Sequence, residues 1–189
     1  MIIYIHGAND SPRSFNFIRN ALGKHEYINF EYNYLSPLQK IIDRFIEEMK
    51  DVESPIQVIA HSLGGVIALA ARDKIDFDKV VTLSAPFGGS RSAALMSWFM
   101  PTSVMQDIST DSKIIVKLKS EPINFPVLSY VTTGGSMYGM FAEPNDDVLT
   151  VSSQMDLDGP EYIKINENHF GTLKSVRVVA EIKNFLERK

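Results

Sequence analysis

One serine sits where the chain could turn a weak hydroxyl into a nucleophile. The stretch Ile56-Gln57-Val58-Ile59-Ala60-His61-Ser62-Leu63-Gly64-Gly65 is a β-branched run that ends in small-x-Ser-x-Gly-Gly and passes at once into a helical pattern. A strand, a sharp turn and a helix with Ser62 at the apex would form a nucleophile elbow, which holds the serine in a strained backbone conformation. Residues two before and two after the serine must then be small, because strand and helix nearly collide; Ala60 and Gly64 meet that demand. A serine before a helix also serves as an N-cap. Capping alone leaves Gly64 and Gly65 unexplained, since glycine in a first helical turn costs about 1 kcal/mol relative to alanine.

A serine nucleophile needs an imidazole to take its proton and a carboxylate to orient that imidazole. Short apolar runs alternate with helical patterns along the chain, the signature of a parallel sheet covered by helices on both faces. In such a sheet, ligands bind beyond the carboxyl ends of the strands. Two residues of the required types fall there after Ser62: Asp146, in Glu143-Pro144-Asn145-Asp146-Asp147-Val148, and His169, in Asn166-Glu167-Asn168-His169. Pro-Asn-Asp is also ordinary turn chemistry, and Asp147 is the alternative acid. His169 could instead cap the last helix, but of the four histidines it alone follows a late strand; His25 lies in an early loop.

The elements that must position these groups can be read in order. Strands are expected at Ile2–Ile5, Ile28–Tyr34, Ile56 to the elbow, Lys79–Leu83, Val127–Thr132 and Tyr162–Ile165. Helices are expected at Phe15–Leu22, after the elbow, and at Ser175–Leu186. A further helix at Leu38–Met49 would place Leu38, Ile41, Ile42, Phe45, Ile46 and Met49 on one face. The pattern predicts a three-layer α/β/α sandwich of about six mostly parallel strands, with residues 1–189 as a single domain. Segment 87–125 interrupts the alternation and is a candidate cap or lid inside that domain.

A chain of 189 residues, 44% hydrophobic and 22% charged, can bury roughly 70% of its unfolded surface without a covalent staple. It has no cysteine, which excludes disulfides and thiol chemistry and favours an intracellular site. A net charge of -4 without a basic cluster argues against nucleic acid or an anionic membrane as partner. No signal peptide precedes the first strand, and no apolar run approaches membrane-spanning length. A cytoplasmic location and no integral membrane association are therefore expected.

The sequence resembles the α/β-hydrolase superfamily, and within it the small, minimal bacterial lipases and esterases. The resemblance rests on Ile5-His6-Gly7 followed by Ser14-Phe15-Asn16-Phe17, on Ala60 to Gly65, and on Val80 to Ser90. Asn145-Asp146-Asp147-Val148 is similar to the family's Asn-Asp-Gly-Val, and Asn168-His169 to its terminal histidine. Asp147 departs from the pattern, which has glycine there. Several small lipases share alanine at the position of Ala60, and the order Ser, Asp, His is the one used on this fold.

The resemblance implies Ser62 as nucleophile, His169 as general base and acid, and Asp146 as the group orienting the imidazole. His6 and His61 then occupy positions that are usually structural. The backbone N–H groups of Ala8 and Leu63 would form the oxyanion hole, each donor worth roughly 3 kcal/mol. Such a protein is a serine esterase or lipase acting on a small-molecule or lipid ester through an acyl-enzyme, with no cofactor. A thioesterase or amidase would use the same groups, and a non-catalytic ligand receptor could share the fold.

Trp98, Phe99 and Met100, in a stripe with Leu95, Met96 and Met105, read as core or as a substrate wall. Met137, with Tyr138 and Met140, is a candidate for the opposite wall. Asp156-x-Asp158-Gly159 hints at calcium but lacks the further ligands of a binding loop. Calcium-dependent lipases of related families carry an acid where this chain has Gly171.

Overall fold

The computed structural model of the chain describes residues 1–89, 106–136 and 143–188. Its strands are β1 (Ile2–Ile5), β2 (Tyr27–Phe30), β3 (Ile56–His61), β4 (Phe77–Leu83), β5 (Val127–Thr132) and β6 (Glu161–Ile165). They form one sheet in the order β2-β1-β3-β4-β5-β6, and every neighbouring pair is parallel. Parallel neighbours need crossovers, which run through α1 (Asn16–Leu22), α2 (Leu38–Met49), α3 (Leu63–Ala70), α4 (Lys113–Ser120) and α5 (Val151–Met155), while α6 (Val176–Glu187) follows the last strand.

The alternation of side chains along each strand splits the core in two. Ile3, Ile5, Val58, Ala60 and Val80 face a layer built from α2, α3 and α4. Ile2, Tyr4, Ile59, Val81 and Leu83 face the layer containing α1 and α6. Each layer packs a largely apolar cluster against its face of the sheet, so the three-layer reading of the sequence holds.

Register brings the strand ends together. Ile5 pairs with Ala60, His61 with Leu83, and Thr132 with Ile165. The turns that follow β1, β3, β4, β5 and β6 therefore open along one edge of the sheet, which is where the candidate residues lie.

Several boundaries differ from the sequence expectation. β2 stops at Phe30 instead of running to Tyr34. Beyond it, the Tyr32 hydroxyl donates to the His6 carbonyl at 2.7 Å and its ring stacks on His6 at 4.4 Å. The helix expected from Phe15 begins as a 3-10 turn over Pro12–Phe15, since proline suits a first helical position, and becomes α1 only at Asn16. The described part of segment 87–125 is largely framework. Phe87, Ile108, Ile115 and Leu118 are core residues, and the Asp107 carboxylate accepts from the Leu38 N–H at 2.8 Å, capping α2. α4 has its own N-cap, Ser112, which accepts from Ile115 N at 3.2 Å.

Candidate active site

Ser62 joins β3 to α3 with φ 52° and ψ -122°, a region that residues with a Cβ rarely occupy. Its own N–H donates to the Leu83 carbonyl at 2.8 Å, which pins the turn to the end of β4. The glycines after it are required by contact. A Cβ on Gly64 would lie 2.2 Å from the Ile5 carbonyl oxygen, and one on Gly65 would lie 2.6 Å from Ala85 Cβ. α3 therefore presses its first turn onto β1 and the β4 turn, and Ser62 is left at the apex.

Asp146 is fully buried and saturated with donors. Its Oδ1 accepts from Val148 N at 3.0 Å and Leu149 N at 2.7 Å. Its Oδ2 accepts from His169 Nδ1 at 2.8 Å, from the Thr132 hydroxyl, and from Gln154 Nε2 at 3.3 Å. Burial works to raise the pKa of this carboxyl, but the His169 imidazole beside it and the hydrogen bonds from His169, Thr132 and Leu149 outweigh burial and hold it below the usual carboxylate range. An ionised Asp146 accepts from His169 Nδ1–H, which leaves Nε2 as the basic nitrogen.

Gly7, Ala8, Ser62, Val148, His169 and Phe170 line one pocket. Among the described residues, Ser62 Oγ makes no hydrogen bond; it shares the pocket with His169, and a nucleophile and its base often close to hydrogen-bond distance only once substrate is bound. Leu63 is the first residue of α3, so its N–H has no acceptor within the helix. The fold thus gathers Ser62, His169, Asp146, Ala8 and Leu63 at one strand edge. Such an arrangement has a hydroxyl, an oriented imidazole, a buried carboxylate and free amides at a helix start, the parts needed for acyl transfer.

No protein-family model and no curated protein sequence matches the chain. Solved structures do. Phospholipase PlaB from Legionella pneumophila is 13% identical with a TM-score of 0.78, covering 100% of this chain and 60% of that one. Aspergillus fumigatus lipase B is 15% identical with a TM-score of 0.73, over 100% of this chain and 52% of that one. Mature Bacillus licheniformis lipase BlEst2 is 14% identical with a TM-score of 0.68, over 98% of this chain and 90% of that one. This is the α/β-hydrolase fold. The chain spans 60% of the length of PlaB and 52% of that of the Aspergillus lipase, and most of BlEst2.

Asp147, where the resemblance implies a glycine, holds the left-handed backbone that glycine would suit. It adopts φ 76°, and its Oδ1 accepts from Ser136 N at 2.6 Å, tying the turn after β5 to the acid loop. It does not take the place of Asp146 beside His169. Two supports of Asp146, Thr132 and Gln154, were missed by reasoning from sequence. Gln154 Oε1 accepts from Thr132 N at 2.9 Å and its Nε2 donates to Thr132 O at 3.1 Å, which fixes the amide. A glutamine on the inner side of the short helix α5 and a threonine ending a buried strand were the available signals.

The other histidines have separate partners. His6 Nδ1 donates to Gly7 O at 2.7 Å, and His25 bonds Tyr4 and Gly23. Asp156 is held by Lys119 Nζ at 2.6 Å. Among the described residues, no three His, Asp or Glu side chains gather as a metal site, and no helix is long and apolar enough to cross a membrane. Trp98, Phe99, Met100 and Met137 lie outside the described residues.

Proposed function

We propose that the protein is a serine hydrolase that cleaves carboxylic esters. Ser62 Oγ attacks the ester carbonyl while His169 Nε2 takes the hydroxyl proton, and Asp146 stabilises the imidazolium through Nδ1–H. The developing oxyanion accepts from the N–H groups of Leu63 and Ala8, with the positive end of α3 adding to the field. Collapse returns the proton from His169 to the departing alcohol and leaves an acyl-Ser62 ester. Water, deprotonated by His169, then releases the acid and restores the serine.

One observation carries this reading: the 2.8 Å bond between His169 Nδ1 and a buried Asp146, on the pocket that also holds a strained Ser62. The phospholipase and lipases of the same fold support an ester, lipid or smaller, as substrate. Hydrolysis of p-nitrophenyl esters from acetate to palmitate, with and without detergent micelles, tests it. Turnover that falls about a thousandfold or more in Ser62→Ala is expected. A wild-type protein inert toward the whole series, or a variant as active as wild type, would refute it.

A further inference from the structure

His61 carries an inference that rests on the hydrolase reading and deepens it. The residue immediately precedes Ser62, is fully buried, and has its ring centroid 4.9 Å from that of His169. Its Nε2 lies 3.0 Å from the His169 carbonyl oxygen. A carbonyl only accepts, so Nε2 carries the proton. Burial, with the neighbouring His169, lowers His61 to about 3, so the ring is neutral at ordinary pH and its Nδ1 is a bare lone pair.

Among the described residues that lone pair has no hydrogen-bond partner. It faces Asp10 Oδ2 at 4.0 Å, and both atoms are buried without a hydrogen bond. Among the described residues, nothing on the Nδ1 side therefore holds the ring by hydrogen bonding. The directed bond that His61 makes is the one to the backbone of His169, whose own N–H is held by the Asp146 carbonyl at 3.0 Å. The His169 backbone is thus gripped on one side from the acid loop and on the other from the strand that carries the nucleophile.

We infer that His61 is a positioning residue: its Nε2–H, bonded to the His169 carbonyl, sets the His169 imidazole relative to Ser62 Oγ. The contact couples the last strand end directly to the elbow. Removing the donor would leave the His169 carbonyl only the longer 3.4 Å bond from Ser84 Oγ, so that the turn can shift with the Asp146 bond in place, and misplacement of a reacting group by 1 Å can cost about a hundredfold in rate.

Three variants separate this role from packing. Glutamine places an amide N–H where Nε2 stands and discards the unpaired Nδ1; asparagine keeps a polar atom near Nδ1 and cannot reach the carbonyl; leucine keeps bulk alone. Steady-state ester hydrolysis should show His61→Gln within about threefold of wild type. His61→Asn and His61→Leu should lose about tenfold to a hundredfold in kcat with KM little changed. The low-field proton resonance of the His169 Nδ1–H, assigned by its loss in His169→Gln, should keep its position in His61→Gln and shift or broaden in His61→Leu.

A folded His61→Leu with undiminished kcat and an unmoved resonance would overturn the inference. So would a folded His61→Gln as impaired as leucine. If wild type hydrolyses no ester, the hydrolase reading fails, and the resonance still reports whether His61 sets the position of His169. Should His61→Leu fail to fold, the comparison of Gln with Asn decides by the same criteria.

Discussion

Asp146 and His169 are joined twice: His169 Nδ1 donates to Asp146 Oδ2 at 2.8 Å, and His169 N donates to Asp146 O at 3.0 Å. Side chain and backbone thus bind the same two loops. The main-chain bond holds the two backbones at the spacing that the side-chain bond requires. Two segments separated by α5 and β6 are thereby tied to each other.

Asp146→Asn should therefore cost far more activity than Asp147→Asn. An amide at 146 disturbs the tautomer of His169, a change worth about 10⁴ in kcat in comparable sites. At 147 it weakens the bonds from Ser136, and a loss within about tenfold is expected. Ester kinetics on the two purified variants check the order; the reverse order would transfer the acid to Asp147.

Thr132→Val removes the hydroxyl that donates to Asp146 Oδ2 while keeping the shape of the side chain. The buried carboxylate then loses a donor, and a destabilisation of about 1–3 kcal/mol is expected from denaturant titration. Activity should fall modestly, because His169 and the Leu149 N–H remain on Asp146.

Much of this arrangement was legible in the sequence, for a physical reason. Ser62, Gly64 and Gly65 lie within a few residues of one another, and their close approach to Ile5, Leu83 and Ala85 admits only small types, so this local pattern announces the turn. Asp146 and His169 could be placed because a parallel sheet sends its loops to one edge. Thr132 and Gln154 could not be found, since a polar residue on a buried strand or helix reveals its partner only through the packing of distant segments. α4 escaped for a related reason. Its apolar face is short, and the interruption after Phe87 hid the return of the chain to the core. Tyr32 continued the pattern of β2 in type, but its hydroxyl reaches the His6 carbonyl outside the sheet.

Gly64→Ala should abolish stable folding. The added Cβ meets main-chain oxygen at 2.2 Å from Ile5 and 2.8 Å from His6, and backbone in the sheet centre cannot yield as a flexible side chain would. Thermal unfolding of any soluble material should show a midpoint at least about 10 °C below wild type, well beyond the shift from a 1 kcal/mol change.

Acid should destabilise the protein in two stages. His61 titrates near 3 when folded, against 6.5 when unfolded, so the unfolded chain binds more protons between these values. Stability is then full above about pH 6.5 and declines by about 2 kcal/mol by pH 5 from this residue alone. His6, also lowered by burial, acts in the same direction. Asp146, held below the usual carboxylate range, adds stability above that range that disappears as pH falls through its folded value. Denaturant titrations at pH 7, 6 and 5 should show the first decline in wild type and a smaller one in His61→Gln; equal slopes would place the effect elsewhere.

The central claim is that Ser62 is the activated nucleophile. Treating the native protein with a fluorophosphonate and mapping the adduct by tandem mass spectrometry tests it most directly. The account predicts one stoichiometric adduct on Ser62, loss of ester turnover in proportion to labelling, and no adduct in His169→Ala on the same time scale. An adduct on another serine, or an unlabelled Ser62 in a protein that still hydrolyses esters, would contradict it.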